Sequence, residues 1–256
     1  MYTNVSVRKV RFHTKPMKIP NSLLFSFLAV GVAAVPSFAA PVTFGQGLEQ
    51  SASQDFNLVD TGSGVTLSAS SQIYFIFSNI NGTLPAGLSG PLSATLTLNL
   101  SSTTPDVISN GTISEGGFTG TFSIVLNTPV NGLTNLLSGT ITSSSNATLT
   151  GKSGGTGASL SASTPPLGSV TFNSAFVQFI NPTTQAFSLA LSSVVPSFVD
   201  NGSGFLSPFS AAGSLTFSSD PAPSVAGVAT PEPISMLLLG FGLITLGAVG
   251  YRFRRA

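Results

Sequence analysis

The residues able to do chemistry in this chain are few, and their positions exclude more than they allow. His13 is the single histidine and cysteine is absent. Beyond residue 40 there is therefore no imidazole or thiol for a Ser-His-Asp triad, a Cys-His pair or a His-ligated zinc or iron site. Carboxylates remain. Two at a suitable separation suffice for glycoside hydrolysis, and Glu49, Asp55, Asp60, Asp106, Glu115, Asp200 and Asp220 are available. Asp60 precedes Thr61-Gly62, Glu115 precedes Gly116-Gly117 and Asp200 precedes Asn201-Gly202, so these three read as turn residues. Carbohydrate sites also lean on Trp and Tyr platforms, yet Trp is absent and Tyr74 lies inside the apolar run Ile73 to Phe77. Gly151-Lys152-Ser153 resembles the end of a phosphate-binding loop. Asn146, however, stands where the first glycine belongs, and no helical pattern follows. A Ser-Lys nucleophile pair using Lys152 has no support in the spacing either. The chain reads as a non-enzyme without a cofactor. Calcium, which takes oxygen ligands, is the one metal left open, with Asp55, Asp60 and Asp200 as candidates, although no Asp-rich calcium loop is present.

The elements that must position these residues are strands. Between Ala40 and Asp220 the chain is rich in Ser, Thr, Gly, Asn, Val and Phe, and poor in strong helix formers. Period-two alternation recurs: Leu92 to Leu100 puts five apolar side chains on one face and Ser, Thr and Asn on the other. Phe118, Phe122, Ile124 and Leu126 share one parity, as do Val170, Phe172, Phe176 and Ile180, and again Phe187, Leu189 and Leu191. Leu215 and Phe217 mark a final strand, and Ile73 to Phe77, apolar on both faces, a central one. Asn81-Gly82, Asn110-Gly111, Asn131-Gly132 and Asn201-Gly202 are pairs that tolerate positive φ in tight hairpins. The expectation is an all-β, antiparallel sandwich or jelly roll of nine to eleven strands in one domain, residues 40–217. A β-solenoid is the alternative, but no fixed repeat of 20 to 50 residues supports it. Thr142 to Thr164, with little apolar content, reads as a long loop or mobile hairpin. Ser218 to Thr230 reads as a linker of prolines and small residues.

The two ends of the chain carry a different pattern. Arg8, Lys9, Arg11, Lys15 and Lys18 form a basic region, Leu23 to Val35 an apolar one, and Ser37-Phe38-Ala39 small residues before a cut. This is the layout of a Sec-type signal peptide over residues 1–39, cleaved after Ala39, and Met17 offers an alternative start. At the other end Pro231-Glu232-Pro233 is followed by an uncharged apolar stretch, residues 234–251, and then by Arg252, Arg254 and Arg255. Eighteen residues at about 1.5 Å each reach roughly 27 Å, near the low end for a membrane-spanning helix. The arginines hold the C-terminus in the cytoplasm by the positive-inside rule.

The triplet, the span and the arginine tail together resemble the bacterial PEP-CTERM sorting signal. The resemblance covers residues 230–256 only, and Thr230 departs from the valine more usual before the triplet. It implies a route: passage through the Sec translocon, transient insertion in the inner membrane, cutting near the triplet by an exosortase-type enzyme, and release to the cell surface or an exopolysaccharide matrix.

Once both ends are set aside, Lys152 is the only cation between Ala40 and Thr230, against seven carboxylates, a net charge of −6. Nucleic-acid binding, which needs Lys and Arg against phosphate, is excluded on that balance. The functional expectation is an exported, non-catalytic structural protein of the cell surface or extracellular matrix. The alternative is a binding or adhesion module, through calcium-dependent carbohydrate contact or ice contact. For ice, Thr95 with Thr97 and Thr140 with Thr142 are only isolated pairs.

Overall fold

A computed structural model describes residues 40–51, 53–165 and 169–227. The signal peptide with Ala39, the triplet Pro231, Glu232 and Pro233, the apolar stretch 234–251 and Arg252, Arg254 and Arg255 lie outside the described residues. Among the described residues no helix is long and apolar enough to cross a membrane.

The described chain is all-β. Its strands are β1 (Val42–Glu49), β2 (Phe56–Asp60), β3 (Val65–Phe77), β4 (Leu92–Ser102), β5 (Val107–Ser109), β6 (Thr112–Glu115), β7 (Thr119–Val130) and β8 (Leu133–Ile141). They continue as β9 (Thr148–Lys152), β10 (Ala158–Ser163), β11 (Val170–Asn173), β12 (Val177–Gln178), β13 (Thr184–Val195), β14 (Phe209–Asp220) and β15 (Ser224–Val225). Thirteen of them form one sheet in the order β11-β8-β7-β4-β3-β1-β14-β13-β10-β9-β6-β5. The thirteenth, β2, lies end to end with β1 between β3 and β14: β1 pairs with Ile73 to Phe77 of β3, β2 with Val65 to Ala69. Strands β12 and β15 form a separate pair. Every ladder is antiparallel, whereas a stacked parallel solenoid would show the opposite.

The sheet doubles over on itself. Phe122 of β7 stacks on Phe187 of β13 at 5.3 Å, although four strands separate their positions in the sheet order. Phe44, Phe75, Phe172 and Phe217 complete an aromatic centre between the two halves. The alternation explains this: the buried parity of β4 is Leu92, Ala94, Leu96, Leu98 and Leu100, and that of β13 is Phe187, Leu189 and Leu191. Burying one face of each strand and leaving hydroxyls on the other gives two layers with a dry interior.

Asn110-Gly111 and Asn131-Gly132 are two-residue hairpin turns, with φ of 50° and 75° in the first and 52° and 76° in the second, the positive values a type I′ turn requires. The other two pairs, Asn81-Gly82 and Asn201-Gly202, sit in longer loops. Gly139 has another role. A Cβ there would collide with the carbonyl oxygen of Thr171 and lie 2.6 Å from the Phe122 ring. Gly139→Ala is therefore expected to cost about 1–3 kcal/mol by overpacking, read as a lower urea midpoint at unchanged slope.

Three expectations need correction. Of the two readings of Thr142 to Thr164, the hairpin holds and the long loop does not. The segment contains a single 3-10 turn, Ser143–Ser145, then β9 and β10, because Leu149 and Leu160 alternate with hydroxyls and are fully buried. Two apolar anchors in a Ser/Thr-rich segment suffice when neighbouring strands supply the rest. The assigned linker from Ser218 begins inside the domain: β14 runs to Asp220, and β15 is held by Val225 N–H to the Asn81 carbonyl at 2.9 Å and Asn81 N–H to that of Pro223 at 2.9 Å. Those are backbone bonds, which need no apolar pattern. Among the described residues the strands number fifteen rather than nine to eleven, the excess being short elements of this kind.

Candidate functional site

Two places gather polar side chains. The first is built on Glu115, the last residue of β6. Its parity with Ile113 points it inward, and it is 0% exposed. One carboxylate oxygen, Oε2, accepts the Leu206 N–H at 3.0 Å, and Oε1 has no partner. Asp106 and Asp60 stand near enough to add like charge. Burial above all, then those carboxylates, push the Glu115 pKa up to about 7, against the opposing pull of the Leu206 N–H. Asp106 is raised too, by desolvation first and by Asp200 beside it second. The loop is closed locally: Gly202 N–H donates to Asp200 at 2.8 Å, Asn201 donates to Asp60 Oδ2 at 2.7 Å, and Asp106 N–H donates to the Gly204 carbonyl at 2.8 Å.

Of the three calcium candidates, Asp60 and Asp200 thus meet around Asn201, while Asp55 accepts from Ser53 at 2.7 Å and faces Glu49 instead. Among the described residues no group of three or more acidic or histidine side chains is arranged to hold a metal ion. Glu115 is no exposed turn residue but a buried acid that pins the 200–206 loop. The glycine pair after it had disguised a strand end. Lys152 closes a turn in which Gly155 N–H donates to its carbonyl at 2.9 Å, so Gly151-Lys152-Ser153 belongs to a hairpin rather than to a phosphate loop.

The second place is the outer face of β3, β4, β7, β8 and β11. Strand register aligns Ser68, Asn99, Thr121, Thr140 and Thr171 in one row, and Ser70, Thr97, Ser123, Ser138 and Asn173 in the next. Neighbouring members of a row stand about 4.8 Å apart, the spacing of paired strands. Both rows bend into a groove of about 380 Å³ floored at Gly139. Thr140 and Thr171 hydroxyls lie 2.6 Å apart across it. One member of each isolated threonine pair, Thr97 and Thr140, thus stands in a continuous array that cross-strand register creates.

The same face carries Tyr74. In the sequence it lies inside an apolar run, but Ile73 and Phe75 point inward and Tyr74 is 44% exposed. Parity against Ile73 and Phe75 was the available signal. Beside it a closed cycle forms: Gln72 Nε2 donates to Thr95 Oγ1 at 2.9 Å, Thr95 donates to Asn127 Oδ1 at 2.8 Å, and Asn127 Nδ2 donates to Gln72 Oε1 at 2.7 Å. Asn127 and Gln50 each also donate to Ser93 Oγ at 2.9 Å.

No family model matches the chain, and no curated protein or solved structure is significantly similar to it.

Proposed function

We propose that this chain is an exported, non-catalytic structural protein of the cell surface or exopolysaccharide matrix. In this reading a Sec-type signal, residues 1–39, sends it across the inner membrane, the span 234–251 holds it there briefly, and an exosortase-type enzyme cuts near Pro231-Glu232-Pro233. The delivered part is an antiparallel β-sandwich of jelly-roll-like form. The observation that carries the reading is the uncharged hydroxyl and amide face just described, set on a domain in which Lys152 is the only cation between the two ends. A wet, neutral, hydrogen-bonding surface suits a polymer of hydroxyl groups, and offers neither the cation stripe a nucleic acid needs nor a nucleophile–base pair. Fractionation of native cells tests it. The chain is expected in the surface or matrix fraction and lost from it when Pro231-Glu232-Pro233 is changed to alanines. Unchanged distribution in that variant contradicts the sorting route.

A further inference from the structure

Resting on that proposed function, we infer that the outer face around Tyr74 is a calcium-independent binding site for a neutral polysaccharide. Three observations converge on it. First, the face is built before any ligand arrives. The Gln72, Thr95 and Asn127 cycle satisfies its members across three strands and fixes amide orientations that exposed side chains otherwise sample freely. Ordering entropy is thus largely spent on folding rather than on binding.

Second, the network is left with hydrogen-bonding capacity that its neighbours do not use. Ser93 Oγ accepts from both Gln50 and Asn127, so its own proton is available as a donor. Gln50 donates through Nε2 to Ser93 and to the Ile73 carbonyl, leaving Oε1 as an acceptor. Donor and acceptor sit side by side next to Tyr74, whose cross-strand partners are Ser93 and Leu48. A half-exposed ring flanked by a hydroxyl donor and an amide acceptor matches a sugar ring, which offers an apolar C–H face and hydroxyls at its edge.

Third, the charge pattern selects the polymer. Strands β3, β4, β7, β8 and β11 carry no Asp, Glu, Lys, Arg or His. An anionic chain would find no counter-charge on this face, and a calcium bridge no carboxylate. The two hydroxyl rows run parallel to the Gln72–Thr95 pair, two and four residues away along β3, and reach the groove at Gly139, so a polymer lying obliquely across the strands meets donors and acceptors beyond the first ring.

Binding isotherms of the full-length chain, kept in a non-glycosidic detergent, to an immobilised β-glucan, a dextran, a galactomannan and the anionic polymer alginate test the site. Saturable binding to at least one neutral polymer is expected, unaltered by EDTA and absent on alginate. Tyr74→Ala and Asn127→Ala should each weaken it about tenfold, while Tyr74→Phe, which keeps the ring, should stay within about twofold. Thr150→Ala, on the opposite half of the sheet, should bind as the parent does. Equal binding by Tyr74→Ala, preference for alginate, loss with EDTA, or no binding to all three neutral polymers overturns the site. Those outcomes leave the export reading standing, since cell fractionation decides that reading separately.

Discussion

Phe217→Ala is expected to produce the largest loss of stability of any single core substitution, about 3–5 kcal/mol. Phe217 is fully buried on β14 and its ring lies 5.2 to 6.4 Å from those of Phe44, Phe75, Phe122, Phe172 and Phe187. Those residues come from β1, β3, β7, β11 and β13, so one ring joins both halves of the doubled sheet. Truncation removes the aromatic contacts and leaves a cavity whose walls are strands held by ladders on both sides, which restricts collapse into it. In a domain without disulfides that loss is a large share of a typical 5–15 kcal/mol. The melting temperature should fall by roughly 10 °C. Phe217→Leu, which refills much of the volume, should cost clearly less. Equal melting temperatures for Phe217→Ala and the parent would mean that the two halves do not pack through this ring.

The second large effect is a dependence on pH whose sign is opposite to that of most folded domains. Glu115 titrates near its ordinary 4.5 in the unfolded chain and at about 7 when folded. Below about pH 4.5 both states hold the proton and the contribution is complete. From there to about pH 7 the unfolded chain releases a proton that the folded chain keeps, so stability falls as pH rises. The integrated loss is on the order of 3 kcal/mol. Glu49 and Asp106, both raised chiefly by desolvation, push in the same direction. Glu115→Gln keeps an acceptor for the Leu206 N–H without ionising, so urea unfolding across pH 5 to 8 should show the steep part of the profile flattened. A parent whose stability rises from pH 5 to 7 would contradict the buried, unpaired placement of Glu115.

Much of the fold was legible because alternation is a direct image of a two-layer sheet. The parities of Leu92 to Leu100, of Phe118 to Leu126 and of Phe187 to Leu191 are the buried parities of the structure. Two of the four Asn-Gly pairs are hairpin turns. What escaped has common physical causes. Strands β9, β10 and β15 draw much of their stability from neighbours and from backbone bonds, which a local pattern does not record. Leu136 and Leu137 are both buried because a bulge opposite Ile124 and Val125 breaks the alternation. The polar face is a product of register: Asn99, Thr121, Thr140 and Thr171 are scattered along the chain and become neighbours only through three strand pairings. Glu115 was misread since a carboxylate before two glycines has the look of a turn, and its burial depends on the distant Leu206 loop. Asp60 and Asp200 meet, but through Asn201 rather than around a metal position.

In the proposed route a mildly acidic, non-catalytic β domain is delivered outside the inner membrane by processing at both ends. Mass spectrometry of the protein recovered from the surface or matrix of native cells tests it most directly. A mature chain that begins at Ala40 and ends near Pro231-Glu232-Pro233, without Arg252, Arg254 and Arg255, is expected. Recovery of the intact chain, with residues 1–39 and the arginine tail still attached, from the cytoplasm would contradict it.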